Sequence, residues 1–187
     1  MIIRYGPNFP SGNYSYSNVS DVRIHPSYLA NINKLFRNDI ALLKTELIVL
    51  EQYGRLSVLD AATLVGHAAR VFGFGIMNDG DKVGHVAELG TALQVVYVVI
   101  KKCSDFSSLC LSPKCGDMAT LCRGDSGGPV IHPSGIVAVN SYAAIDLCNA
   151  YQNTHKQLTV SFGGGVIPVS RYIDWIADVI NNGSVTK

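Results

Sequence analysis

Ser126 is the side chain in this sequence best placed to act as a nucleophile. It lies within the glycine-rich run Arg123-Gly124-Asp125-Ser126-Gly127-Gly128-Pro129. A serine hydroxyl is a weak nucleophile at its ordinary pKa and attacks a carbonyl carbon only when a neighbouring base accepts its proton. The glycines allow a tight turn that directs bare N–H groups at a negatively charged oxygen. The run therefore predicts an acyl-transfer site, which still needs a base and an acid to orient that base.

A second motif supplies the acid. Asn38-Asp39-Ile40-Ala41-Leu42-Leu43-Lys44 places an aspartate before an apolar strand, 87 residues ahead of the serine. Together the two motifs resemble the aspartate strand and nucleophile loop of the trypsin/chymotrypsin-like serine proteases (peptidase family S1). The resemblance implies peptide-bond hydrolysis through an acyl-enzyme, with Ser126 as nucleophile and Asp39 orienting a histidine base. It also implies that the N–H groups of Gly124 and Ser126 form the oxyanion hole.

The histidine base is missing from its expected place. Of the five histidines only His25 precedes Asp39, and it matches a family position without a catalytic role. Neither the family's Ala-Ala-His-Cys motif nor its Ile-Val-Gly-Gly terminus occurs in the chain, so Asp125 would lack the amine that it pairs with in the family. We therefore expect an N-terminally truncated family member that is inactive as given. The remaining histidines are His67, which is interpreted as structural, and His85, His132 and His155.

The resemblance further implies a substrate pocket. Thr120 stands at its floor, where a preference for Lys or Arg would require a carboxylate, so we expect small or medium apolar side chains as targets. Ser141-Tyr142-Ala143 resembles the strand that pairs with substrate backbone, and Ala143 would narrow the pocket mouth. The candidate substrate-binding residues are Thr120, Arg123, Ser141, Tyr142, Ala143 and Gly164.

The five cysteines fit an extracellular protein if they pair as the resemblance implies. The implied disulfides are Cys122–Cys148, beside the nucleophile loop, and Cys103–Cys115. Cys110 is then left over: it could compete for Cys103, remain a thiol or pair outside the sequence. Five reduced cysteines in a cytosolic protein are the alternative. The cysteine and histidine spacings do not match a zinc site, and no metal or cofactor is expected.

The elements that must position these residues are mostly strands. Apolar and β-branched runs predict strands near Val22–His25 and Asp39–Lys44 and at 83–88, 92–100, 129–132, 136–142 and 158–167, whereas 1–20 and 45–68 are predicted as loop and connector. Val71–Gly75 resembles the Gly-Trp-Gly strand that opens the family's second barrel, with Phe74 in place of the tryptophan. Apolar residues at three- and four-residue steps from Val169 to Ile180 predict a helix capped by Ser170 and stopped at Gly183.

The resemblance, with these strands, implies an all-β fold: a trypsin-like double antiparallel β-barrel with the first barrel incomplete, plus a C-terminal α-helix. Residues 1–60 would form the partial N-terminal barrel that carries Asp39. Residues 61–187 would form the C-terminal barrel with the nucleophile loop, the pocket and the closing helix. The first part is expected to have unpaired strand edges, an open apolar face and little stability alone.

The net charge and the lengths of the apolar runs limit the kinds of partner that we expect. A net charge of +1 gives no electrostatic reason to expect nucleic acid or a membrane, and no apolar run approaches the length of a spanning helix. The start of the chain does not resemble a signal peptide, yet the family implies an extracellular, secreted protein. The expected partners are protein or peptide substrates or inhibitors, with a separate N-terminal segment as a further candidate.

Three alternatives remain open for activity: an ordinary secreted protease with a misassigned start, a non-catalytic homologue that uses the old cleft for binding, and a fragment that associates with a separate N-terminal piece. The run Gly124–Gly128 also nearly satisfies the Gly-x-Ser-x-Gly elbow of α/β-hydrolases. That elbow precedes a helix and comes before its acid, whereas here a strand is predicted next and the acid comes first.

Overall fold

The computed structural model describes residues 1–6, 14–30, 36–75, 93–103, 109–114, 121, 124–143 and 164–183. The strands are β1 (Ile2–Tyr5), β2 (Ser15–Ile24), β3 (Leu29–Ala30), β4 (Phe36–Arg37), β5 (Ala41–Thr45), β6 (Ala68–Gly73), β7 (Gln94–Lys102), β8 (Leu109–Pro113), β9 (Pro129–His132), β10 (Gly135–Ala143) and β11 (Gly164–Pro168). A 3₁₀ helix (Val169–Tyr172) and the α-helix α1 (Ile173–Gly183) follow.

Six strands close into an antiparallel barrel in the order β10-β11-β8-β7-β6-β9. Because the barrel is closed, each of its strands is hydrogen-bonded to a neighbour on both edges, and the strands surround one apolar core. Strand β11 is accordingly buried along its whole length. The core side chains include Leu64, Val71, Ile100, Leu111, Val130, Val137 and Val166. This barrel carries the nucleophile loop between the core residue Leu121 and β9.

The N-terminal part is an open sheet in the order β1-β2-β5. Val22 pairs with Leu43 and Ile24 with Ala41, so these side chains share one face. Val22, Ile24 and Leu43 are 45%, 58% and 41% exposed, which makes this face apolar and open to solvent. The predicted fold class is confirmed: the regular structure of the described residues is mostly strands, with one closed barrel, a second sheet and one short C-terminal helix.

Two details of the sequence prediction are wrong. Residues 1–20 contain β1 and most of β2, because Ile2–Tyr5 pairs in register with Ser15–Asn18 although that segment is rich in Ser, Asn and Tyr. Ser170 does not cap a helix: it lies inside the 3₁₀ helix, whose N-cap is Pro168, and α1 begins only at Ile173. The helix is described as far as Gly183, and since residues 184–187 lie outside the described residues, the stop at Gly183 stays a prediction.

The C-terminal helices join the two parts. Tyr172 and Ile176 pack against Ile40, which directly precedes β5, and against Ile167 of β11. The Tyr172 hydroxyl donates a hydrogen bond to Asn38 Oδ1 at 2.9 Å, and burial raises the pKa of this phenol above its ordinary value. This contact fixes the turn that presents the next residue, Asp39, to the barrel.

Candidate active site

The nucleophile loop is a tight turn shaped by its glycines. Gly124 and Gly127 have φ angles of 100° and 84°, a region that side-chain-bearing residues rarely adopt. The Gly128 N–H donates to the Asp125 carbonyl at 3.0 Å and closes the turn. Ser126 is exposed at its tip, and within the described residues neither Gly124 nor Ser126 donates its N–H to a backbone carbonyl. Both donors are therefore available to a ligand in this part of the structure.

Asn140 of β10 holds the loop with three hydrogen bonds. Its carbonyl accepts from the Gly127 N–H at 2.8 Å and its N–H donates to the Gly128 carbonyl at 2.9 Å. Its side-chain amide donates from Nδ2 to the Asp125 carbonyl at 3.2 Å. Asn140 is not among the residues predicted from the sequence, although a single polar residue at the end of the apolar run Ile136–Val139 is a signal that could have identified it.

The Asp125 side chain is held from the other side. Its Oδ1 accepts a hydrogen bond from the Gly75 N–H at 2.8 Å. A Cβ atom at Gly73 or Gly75 would overlap this carboxylate, so the end of β6 must be glycine-rich for the loop to fit. The sequence led us to expect an aspartate without its usual amine partner; in the structure a backbone N–H of Gly75 bonds the carboxylate.

Ser141 connects the predicted nucleophile to the predicted acid. A β-bulge between Asn140 and Tyr142 sets Ser141 out of register with β11. Its Oγ donates to Asp39 Oδ2 at 2.6 Å, while its carbonyl accepts from Ser126 Oγ at 3.2 Å. The structure thus brings Asp39, Ser126 and Ser141 together although they are far apart in sequence.

The described histidines lie elsewhere. His25 packs edge-on against Tyr172 and Trp175, with ring centroids 5.1 and 4.9 Å away. His67 and His132 lie beside each other on the barrel, where burial and the neighbouring His67 lower the pKa of His132. Among hydrogen bonds between described residues, none joins a histidine to Ser126 or Asp39. His85 and His155 lie outside the described residues.

Part of the predicted pocket can be located. The backbone of Ala143 pairs with that of Gly164, and Tyr142 pairs with Gly165. A Cβ atom at Gly165 would overlap the Tyr142 ring, so this ring lies directly over the glycine strand β11. Gly164 is buried. Thr120 and Arg123 lie outside the described residues.

The disulfide prediction needs one correction. Cys103 is bonded to Cys110, not to Cys115. Strands β7 and β8 pair as a hairpin in which Cys110 faces Lys101. Cys103 lies two residues beyond Lys101, diagonally across from Cys110, and the Cα atoms of the two cysteines are 5.1 Å apart. Cys115, Cys122 and Cys148 lie outside the described residues, and the Cys122–Cys148 pair stays a prediction.

Other kinds of site find little support in the described ranges. No group of three or more His, Cys, Asp or Glu side chains in the described part of the chain could hold a metal ion. The only α-helix described there, α1, is too short to cross a membrane.

One comparison with known proteins bears on this geometry. A family model described as Trypsin matches residues 8–176 of the chain. The match includes Asp39, the nucleophile loop, Ser141 and the strand β11, and so covers every residue of the candidate site.

Proposed function

This chain belongs to the trypsin family of serine proteases, and on that premise we propose that Ser126 is the nucleophile of a serine-endopeptidase site to which no described residue supplies the general base. The observation that carries the proposal is the hydrogen bond from Ser126 Oγ to the Ser141 carbonyl at 3.2 Å. A carbonyl oxygen is not a base at neutral pH, so this contact does not activate Ser126, and we propose that the chain is inactive as it stands.

The other catalytic roles, apart from that of the base, are assigned to residues of this chain. With a base present, Ser126 Oγ would attack the scissile carbonyl carbon, transfer its proton to the base and form an acyl-enzyme that water then hydrolyses. Donation by the N–H groups of Gly124 and Ser126 would stabilise the oxyanion, at about 3–4 kcal/mol per donor. Asp39, fixed by the Ser141 hydroxyl at 2.6 Å, would orient the base and stabilise its charged form.

Small or medium apolar side chains are the proposed targets. The Tyr142 ring lies over Gly165 and takes up space beside the strand that the resemblance assigns to the pocket wall. Thr120, which the resemblance assigns to the pocket floor, would offer no negative charge to a Lys or Arg side chain. Protein or peptide substrates, or inhibitors that imitate them, are the corresponding partners.

We further propose that the protein functions outside the cell. The Cys103–Cys110 disulfide supports this, because such bonds persist in oxidising compartments and are rare in the cytosol. The predicted division at residues 60 and 61 and the separate N-terminal segment stay predictions. A non-catalytic binding role is the second candidate, and one observation favours it: no described histidine bonds to Ser126 or Asp39.

Chemical rescue tests the proposed function. A fluorophosphonate probe is applied to the full chain with and without millimolar imidazole, which can enter the place of a missing histidine ring. Loss of the histidine in such a triad lowers kcat about 10⁶-fold, so we expect negligible labelling alone and labelling at Ser126 once imidazole is added. Asp39→Asn should weaken the rescue, and Ser126→Ala should abolish it.

The outcomes separate the candidates. Labelling of Ser126 without imidazole, at the rate of an ordinary serine protease, would show that a base is present after all. No labelling even with imidazole would favour the binding role. A peptide library cleaved mainly after Arg under rescue conditions would contradict the proposed specificity.

A further inference from the structure

We propose that His67 and His132 together bind one divalent transition-metal ion, for which zinc is the best-fitting representative. His67 directly precedes β6 and His132 ends β9, and these two strands are neighbours in the barrel. His67 Nδ1 and His132 Nε2 are 3.2 Å apart, and the ring centroids are separated by 5.3 Å. His132 lies at the end of β9 farther from the nucleophile loop, and neither histidine is part of the proposed catalytic site, so this proposal is independent of the proposed function.

The spacing of the two nitrogens suits one ion. Zinc–imidazole bonds are about 2.0–2.1 Å long and structural and catalytic zinc sites are close to tetrahedral. Two such bonds whose nitrogens lie 3.2 Å apart enclose an angle of about 100°, near the tetrahedral value. Both imidazoles can therefore bind the same ion without a large movement of either ring.

Both rings are carried by backbone that is fixed in the fold. The His67 N–H donates to the Leu64 carbonyl at 3.0 Å, and its own carbonyl accepts from the Ile100 N–H at 2.9 Å. His132 pairs with Gly135 across the β9–β10 turn. Ligands on such rigid elements lose little conformational entropy when a metal binds.

A hydroxyl lies where a metal-bound His132 would need an acceptor. In the metal-free protein the Ser134 N–H donates to His132 Nδ1 at 3.2 Å, so the neutral ring carries its proton on Nε2 and donates it to His67. When an ion occupies Nε2, that proton must move to Nδ1, and no net proton is lost. The Ser134 N–H then has to give up its bond to Nδ1, which is a cost of metal binding. Ser134 Oγ, 2.8 Å from Nδ1, can then accept a hydrogen bond from that proton while its own hydroxyl turns to Ser57 Oγ, also 2.8 Å away.

The proposed site has open coordination positions. In the described ranges no third histidine, cysteine or carboxylate joins the pair, so water or a donor from another molecule would complete the shell. His67 is exposed, which gives an ion access to the site from solvent. Reversible zinc binding is therefore expected, rather than a closed structural site.

Zinc titration of the full chain, with any free thiols alkylated beforehand, tests the proposal. NMR of the histidine ring protons and calorimetry are used together. We expect one zinc ion to shift the His67 and His132 signals. His67→Gln and His132→Gln should each reduce the affinity at least tenfold, Ser134→Ala about tenfold by removing the supporting acceptor, and His25→Gln not at all.

Two results would overturn the proposal. One is wild-type protein in which saturating zinc leaves the signals of both rings unshifted, a result that does not depend on how any variant folds. The other is a folded double variant, His67→Gln with His132→Gln, that binds zinc as tightly as the wild type.

Discussion

The Asn140 side chain hydrogen-bonds directly to the backbone of the nucleophile loop. Its Nδ2 donates to the Asp125 carbonyl, whereas its Oδ1 is buried without a hydrogen-bond partner among the described residues. We predict that Asn140→Leu, which is similar in size, changes the free energy of unfolding by less than about 1 kcal/mol, because the lost bond is offset by removal of an unsatisfied carbonyl. The loop itself should loosen, and amide exchange at Gly127 should accelerate about fivefold.

The control is a buried hydroxyl in the other sheet. Ser17 Oγ donates to the Glu46 carbonyl at 3.0 Å, so Ser17→Ala removes a comparable side-chain bond far along the chain from the loop. Ser17→Ala should leave Gly127 exchange unchanged. Equal exchange rates in Asn140→Leu and the wild type, measured by NMR, would mean that the backbone bonds alone hold the loop.

Linear motifs explain why some site residues could be predicted and others could not. The residues that flank Ser126 and Asp39 in the sequence are constrained by the local turn and strand that they form. Both site residues can therefore be recognised from a short continuous motif. Ser141 could be placed on the substrate strand, but its contact with Asp39 depends on a bulge that one sequence does not reveal. The paired rings of His67 and His132 depend on which strands become neighbours in the barrel.

At the scale of elements, the β7–β8 hairpin determines which cysteine pairs with Cys103. We predict that a tryptic digest made without a reducing agent contains peptide 103–114 with a mass two hydrogens below that of its reduced form. The reason is that Cys103 and Cys110, which form the disulfide, lie in the same peptide. A Cys103–Cys115 bond would instead join peptides 103–114 and 115–123, since Lys114 lies between the two cysteines. Replacing both Cys103 and Cys110 by Ser should lower the free energy of unfolding by about 2 kcal/mol in the loop-entropy treatment.

Strand β2 shows the limit of composition as a guide to elements. Its sequence, Ser15–Ile24, contains three serines, one asparagine and one aspartate, which favour turns and loops in isolation. It is nevertheless a strand because it lies between β1 and β5 and pairs with both. The helix α1 was easier to predict, since its apolar positions recur at helical spacing and all lie within one continuous segment.

At the scale of the whole molecule, the closed barrel and the open sheet differ in how well they exclude water. The barrel buries its apolar side chains in one core, whereas the face of the sheet formed by Val22, Ile24 and Leu43 is exposed. The sequence resemblance predicted this asymmetry, because the strands that would close a first barrel were not found in it. Stability should therefore be distributed unevenly between the two parts.

Two amides with similar hydrogen bonds test this difference. The His25 N–H donates to the Ile40 carbonyl at 3.0 Å in the sheet, and the Ile100 N–H donates to the His67 carbonyl at 2.9 Å in the barrel. We predict that native-state hydrogen exchange gives His25 an opening free energy at least about 2 kcal/mol below that of Ile100. Equal protection of the two amides would show that sheet and barrel open as one unit.

The same substitution at two valines, one on the exposed face of the sheet and one in the barrel core, tests the difference between the two parts in another way. Val22→Thr places a hydroxyl on the exposed face and should change the free energy of unfolding by less than about 0.5 kcal/mol. Val71→Thr places the same hydroxyl in the core, where Val71 is only 2% exposed, and should cost about 1–3 kcal/mol. Urea denaturation measures both. If Val22→Thr proved as destabilising as Val71→Thr, its side chain would have to be covered in solution, and the open face of the sheet would not exist there.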